Sequence, residues 1–263
     1  MVDDALVDDT VLTAPWLTTL WLILCSIWSW LVLGLCVLLW LPMMAVVLVV
    51  TAPFDPPRYW TGFLFRKLTV VHLLLNPLWT FRTGGDFPEN PRNPYVVVCN
   101  HESFVDILLI SQLPWEMKWL SKHELFKLPV AGWLMRMAND IPLDRRDRAS
   151  AVAAMAKCRR LLDQRVSVMI FPEGRRSTTG ELMPFKDGAF RLAIEAQVPV
   201  LPLAVHGAAT ALRTHSWRFG RAVARVQVLE PIMTAGMTLD DVAELRESAR
   251  VSIGAALEEM VGP

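Results

Sequence analysis

The sequence predicts an α/β domain, a largely parallel central sheet flanked by helices, preceded by an N-terminal membrane helix and an interfacial helix. Three observations carry that prediction. Residues 10–54 contain no charged side chain, in a chain of 263 residues whose formal net charge is zero. After residue 90, short apolar runs of strand character alternate with helical segments, as in a parallel sheet joined by helical crossovers. The apolar fraction of 53% exceeds the ~45–50% usual in soluble domains, and the excess is concentrated in the first segment. Collagen-like, disulfide-scaffold and disordered classes are excluded by the low glycine and cysteine counts and the apolar content.

The elements follow in order. Trp16–Val50 is one apolar helix; 35 residues at 1.5 Å each reach ~52 Å, beyond the ~30 Å hydrocarbon layer. It must tilt, bend near Pro42, or project past the bilayer. No basic residue precedes it, and it is too long for a signal-peptide core. Seven of the eleven tryptophans fall within residues 1–79, some of them marking the membrane interfaces. Acidic residues (Asp3, Asp4, Asp8, Asp9) lead the run, and Arg58, Arg66 and Lys67 trail it. The positive-inside rule then puts the N-terminus outside and the rest of an integral membrane protein on the cytoplasmic face.

Residues 1–57 thus form the membrane segment, 58–83 an interfacial helix and 84–263 the α/β domain. Tyr59–Phe81 is helical in pattern, and Arg66 with Lys67 near its middle opposes a second span. The helix lies in the interface or packs on the soluble domain. Pro88, Pro91 and Pro94 mark 84–94 as loop. Strands are expected at Tyr95–Cys99, Lys118–Ser121, Val166–Phe171, Pro199–Val205 and Ala224–Leu229. Helices are expected at Ser103–Gln112, Pro129–Met137, Asp147–Gln164, Gly188–Ala196 and Thr238–Met260.

Residues 56–263 carry 26 basic and 21 acidic side chains, a surplus of five that suits anionic lipid or an anionic substrate. Basic–aromatic interleaving is missing, so nucleic acid is not a partner. The four cysteines form no CxxC pair, which gives neither a zinc site nor a disulfide framework and fits a reducing compartment.

Chemistry concentrates where strands end. In Asn100-His-Glu-Ser-Phe-Val-Asp106 a carboxylate can hold one imidazole nitrogen while the other takes a proton from a hydroxyl. Five residues apart on one helix would leave His101 and Asp106 ~140° off a shared face. His101 therefore belongs in the loop and Asp106 on the first helical turn. On composition alone Asp106 could instead be a helix cap, since Ser103-Phe-Val-Asp106 fits a capping box. Phe171-Pro-Glu-Gly-Arg-Arg-Ser177 also follows a strand: Gly174 permits a tight turn, Glu173 accepts hydrogen bonds, and Arg175 and Arg176 offer planar forks suited to phosphate. Ile141-Pro-Leu-Asp-Arg145 places Arg145 at a strand end, and Lys122 is a further phosphate contact or a surface residue. No GxSxG turn supports a nucleophilic Ser103.

Taken in order, these blocks resemble the glycerolipid acyltransferase superfamily, in particular its 1-acyl-glycerol-3-phosphate acyltransferases. NHESFVD is similar to the family's NHxSxxD, IPLDRR to its second block, FPEGRRS to FPEGTRS and VPVLPLAV to its fourth, over roughly residues 84–232. Arg175 departs from the family's Thr. The resemblance implies a glycerol-3-phosphate acyltransferase-like fold, with His101 as general base oriented by Asp106. It implies that Glu173, Gly174, Arg176 and Arg145 hold the glycerol phosphate, with help from Lys122. A lysophospholipid acceptor, acyl-CoA or acyl-carrier protein as donor, and no metal or cofactor follow from it. A backbone N–H near Gly174 is the expected oxyanion donor. Another lysolipid, such as a lyso-ornithine lipid, is an alternative acceptor; a non-catalytic lipid-binding scaffold is a reading of another class.

Overall fold

A computed structural model describes residues 15–90, 92–177, 179–212 and 216–261. The acidic residues before the apolar run lie outside them. Seven strands, β1 (Trp79–Gly85), β2 (Val96–Cys99), β3 (Met117–Lys122), β4 (Ile141–Leu143), β5 (Ser167–Ile170), β6 (Val200–His206) and β7 (Ala222–Val228), form one sheet in the order β1-β7-β6-β2-β5-β3-β4. β6, β2, β5, β3 and β4 are mutually parallel; β7 runs antiparallel to β6, and β1 pairs parallel to β7.

Both faces of β2 and β5 are buried, which explains their unbroken apolar runs. Val96, Val98, Val168 and Ile170 pack under α5 (Arg148–Asp163), α6 (Gly188–Ala196) and α7 (Val242–Val261). The alternate residues Val97, Cys99 and Met169 pack with Leu109 and Ile110 of α3 (Asp106–Ile110) on the other face.

The helix expected over 59–81 is shorter. α2 runs Tyr59–Leu74, and Trp79–Gly85 is a strand instead of helix and loop. Its pairing partner β7 lies about 140 residues along the chain, so the local pattern of WTFRTGG carries no sign of it. α3 is likewise only Asp106–Ile110, because residues 103–105 form the turn that leads into it.

α1 (Pro15–Thr51) includes Pro42 and is the one helix among the described residues long and apolar enough to cross a membrane. It does not stand apart from the domain. Ser26 Oγ accepts the Phe219 N–H at 2.9 Å, and the Trp28 and Trp30 indoles donate to the carbonyls of Leu75 and Trp217, both at 2.8 Å. Farther along, Val32, Cys36 and Met44 pack on Leu68 of α2 and on Leu134 and Ala138, which lie in or just after α4 (Ala131–Met137). Its other side exposes Leu24, Leu31, Leu35, Leu38, Val46 and Val49.

α2 is fastened from within. Both oxygens of Asp55 accept its first N–H groups, from Tyr59 and Trp60, at 2.9 Å. Arg66, expected to oppose membrane burial, is buried in protein. Its guanidinium bonds Asp140 and lies 3.5 Å from Glu116, whose carboxylate also meets Lys118 Nζ at 2.9 Å. Lys118 in turn donates to the Arg58 carbonyl at 2.7 Å. Gly62 allows this approach, since a Cβ there would stand 2.0 Å from Glu116 Oε1.

Candidate active site

The sheet order puts four neighbouring parallel strands, β2, β5, β3 and β4, side by side, and the chemistry-bearing loops leave their C-terminal ends, where α/β sheets place ligands. Val98 pairs with Ile170, so three residues on, His101 and Glu173 come level. Likewise Lys122 pairs with Leu143, which brings Arg145 to the same edge.

His101 sits in the loop after β2, and Asp106 is the first residue of α3. His101 Nδ1 lies 2.7 Å from Asp106 Oδ2, with the carboxylate wholly buried and the imidazole 13% exposed. The same oxygen accepts the N–H groups of Glu102 at 2.8 Å and Ser103 at 2.9 Å. The turn is therefore wound around the carboxylate, and the capping bond to Ser103 coexists with the imidazole contact. With Nδ1–H donating to the carboxylate, the lone pair lies on Nε2, which has no hydrogen-bond partner among the described residues. Phe171 stacks on the ring, centroids 3.9 Å apart and planes 12° from parallel.

Both carboxylate oxygens of Glu173 are taken by backbone N–H groups. It is buried; Oε1 accepts the His101 N–H at 2.7 Å and Oε2 the Met183 N–H at 3.1 Å. Burial raises its carboxyl above the usual range, opposed by those two N–H groups. Ser177 N–H donates to the His101 carbonyl at 2.7 Å, so the arginine-bearing turn holds the His101 backbone from both sides. Gly174 adopts φ +75°, the left-handed region that favours glycine. Its N–H closes the turn onto the Phe171 carbonyl at 3.0 Å.

A cavity of about 420 Å³ opens beside the imidazole, lined by His101, Phe104, Ile107, Trp119, Leu120, Ser121, Lys122, Leu125, Arg145, Phe171, Arg175 and Arg176. Four of these side chains are cationic and none is a carboxylate. Glu173 and Gly174 shape the wall from behind it.

Residues 82–206 match the family model described as Acyltransferase. The chain is 37% identical over 181 residues to human 1-acyl-sn-glycerol-3-phosphate acyltransferase alpha, a match covering 68% of this chain and 63% of that protein. It is 42% identical over 123 residues to the chloroplastic 1-acyl-sn-glycerol-3-phosphate acyltransferase BAT2 of Brassica napus, covering 47% and 36%. Residues 82–206 carry an acyltransferase domain. It spans less than two thirds of the length of these relatives. The crystal structure of the 1-acyl-sn-glycerophosphate (LPA) acyltransferase PlsC from Thermotoga maritima shares the fold, with a TM-score of 0.79 at 22% identity over 93% of this chain and 98% of that one.

Within this acyltransferase fold the structure gathers His101, Asp106, Lys122, Arg145 and Arg176 at one cavity. Sequence reasoning missed Phe171 as the imidazole's stacking partner and Trp119 as part of the wall; only the adjacency of Phe171 to Glu173 could have signalled the first. It also missed Glu102, whose carboxyl burial pushes up to about 7, with Asp106 adding to the rise and the N–H groups of residues 207–209 opposing it.

Proposed function

We propose that the protein is a membrane-bound acyltransferase that moves a fatty acyl group from a thioester, acyl-CoA or acyl-carrier protein, to the sn-2 hydroxyl of 1-acyl-glycerol-3-phosphate. The product is phosphatidate, for phospholipid synthesis. One observation carries the reading: a buried carboxylate orients an imidazole whose other nitrogen meets a carboxylate-free, cation-lined cavity. The names of the relatives support the choice of acceptor.

In this reading His101 Nε2 removes the hydroxyl proton as the oxygen attacks the thioester carbonyl. The C–O bond forms, the C–S bond breaks, and the proton passes from the imidazolium to the leaving thiolate. Asp106 fixes the tautomer and stabilises the imidazolium. Arg145, Arg176 and Lys122 hold the phosphate, and Glu173 with Gly174 position the loops. A thioester is already activated, so no covalent enzyme intermediate is required.

The docked face of α1 supports insertion into one leaflet through its exposed side, in preference to a span that would carry its two halves to opposite sides. The cytoplasmic placement of the domain leans on Arg58 and Lys67, because Arg66 is enclosed by protein.

The test is thiol release by the purified full-length protein with acyl-CoA and a panel of lysolipids. Lysophosphatidate is expected to be the preferred acceptor, and His101→Ala to slow release ~10²–10⁴-fold. A wild-type protein that acylates lyso-ornithine lipid but not lysophosphatidate would replace the acceptor. Full activity in the variant would remove the base.

A further inference from the structure

Arg175 is the one cation of the cavity without a task in the reading above. It lies between two residues that grip the His101 backbone, Glu173 at 2.7 Å and Ser177 at 2.7 Å, and it lines the cavity beside Arg176, Arg145 and Lys122. Among the described residues none of the three arginines has an ion-pair partner, while Lys122 has only the exposed Glu124, at 3.6 Å. Unrelieved repulsion of this kind is a standing cost that an anion in the cavity removes.

The quantity of positive charge is informative. A phosphodiester headgroup carries one negative charge. A phosphate monoester carries about −1.5 to −2 at neutral pH and three acceptor oxygens. Arg145, Arg176 and Lys122 already face the two terminal oxygens of a diester. A further planar fork beside them finds an additional terminal oxygen only on a monoester, which offers three. The turn carrying Arg175 is bonded to the His101 backbone on both sides, and Arg175 and the imidazole line the same cavity.

We propose that Arg175 is a specificity-determining residue that favours acceptors bearing a phosphate monoester over those bearing a phosphodiester. The inference rests on the acyl-transfer reading above and adds selectivity to it. Arg175 is exposed at the surface, so its replacement leaves the fold intact.

The experiment compares wild type, Arg175→Thr and Arg175→Lys, with one acyl-CoA and two acceptors that both offer a free sn-2 hydroxyl: 1-acyl-glycerol-3-phosphate and 1-acyl-glycerol-3-phosphoglycerol. Arg175→Thr is expected to lower kcat/KM for the monoester about tenfold, the scale of one charge-assisted contact, chiefly through KM. The diester should change less than about twofold, and the donor KM should not move. Arg175→Lys should fall between. Equal losses on both acceptors, or a raised donor KM with the acceptor KM unchanged, would overturn the selectivity role while leaving acyl transfer standing. A wild-type protein that acylates neither lysolipid would overturn the reading beneath it as well.

Discussion

Two clusters of buried charge sit in this molecule and are built to opposite ends. At one, Arg66, Asp140, Glu116 and Lys118 neutralise each other inside protein, with α2 as the cover. At the other, the Asp106 carboxylate is equally buried, but its partner His101 lines a cavity and has one nitrogen without a hydrogen-bond partner among the described residues. The first has consumed its charges: burial raises Glu116 and lowers Lys118, and each opposes the shift in the other. The second holds back an unsatisfied basic nitrogen. The difference teaches that a buried carboxylate in this fold marks a joint when its cluster closes on itself and, in the function proposed above, a reaction centre when its partner stops one bond short.

Substitutions can break that contrast. Asp106→Asn leaves an oxygen to accept backbone N–H groups but no charge to stabilise an imidazolium. Its kcat should fall by ~10²–10⁴-fold, with the unfolding midpoint in urea shifted much less. A collapse of stability with kcat preserved would make Asp106 a helix cap after all. Arg66→Met should do the reverse. It strands Asp140 and Glu116 without their guanidinium and costs ~3–5 kcal/mol of unfolding free energy, while the folded fraction keeps its turnover within about twofold. Turnover lost without loss of stability would make the joint part of the site.

The smallest expected effect concerns Glu102, which lies between the two designs, nearly buried with His206 Nδ1 at 3.7 Å. Its carboxyl is raised to about 7 in the folded protein and titrates near 4.3 unfolded. Between these values the folded state binds more protons at Glu102 than the unfolded one, so this group's contribution to stability is greatest below about pH 4.3 and is lost as pH rises through about 7. Glu102→Gln should flatten that decline, a difference of ~1–3 kcal/mol at pH 8, read from urea unfolding at pH 5 and pH 8. An unchanged slope would show that Glu102 ionises freely.

The sequence made the local parts of this site legible. His101 and Asp106 are five residues apart, and helical geometry alone separates a loop residue from a first-turn residue. Arg145 and Arg176 could be named because each closely follows a short apolar strand. The clamp of Glu173 on the His101 N–H spans 72 residues and exists only through the pairing of β2 with β5, so Glu173 reads from sequence as a ligand contact. β1 was hidden for the same reason, being a strand only because β7 lies beside it. Arg66 was hidden by its setting: a cation in an apolar helix signals an interface unless two carboxylates from elsewhere surround it.

The docking of α1 has a bearing on how the chain is made. The Trp30 indole meets the Trp217 carbonyl across 187 residues, so the helix emerges long before its resting surface has been synthesised. At ~5–20 residues per second that interval is on the order of 10–40 s. Through that wait the nascent helix needs lipid or a chaperone to shelter it, and a ribosome stalled before residue 217 leaves a chain whose helix has not yet found its flank.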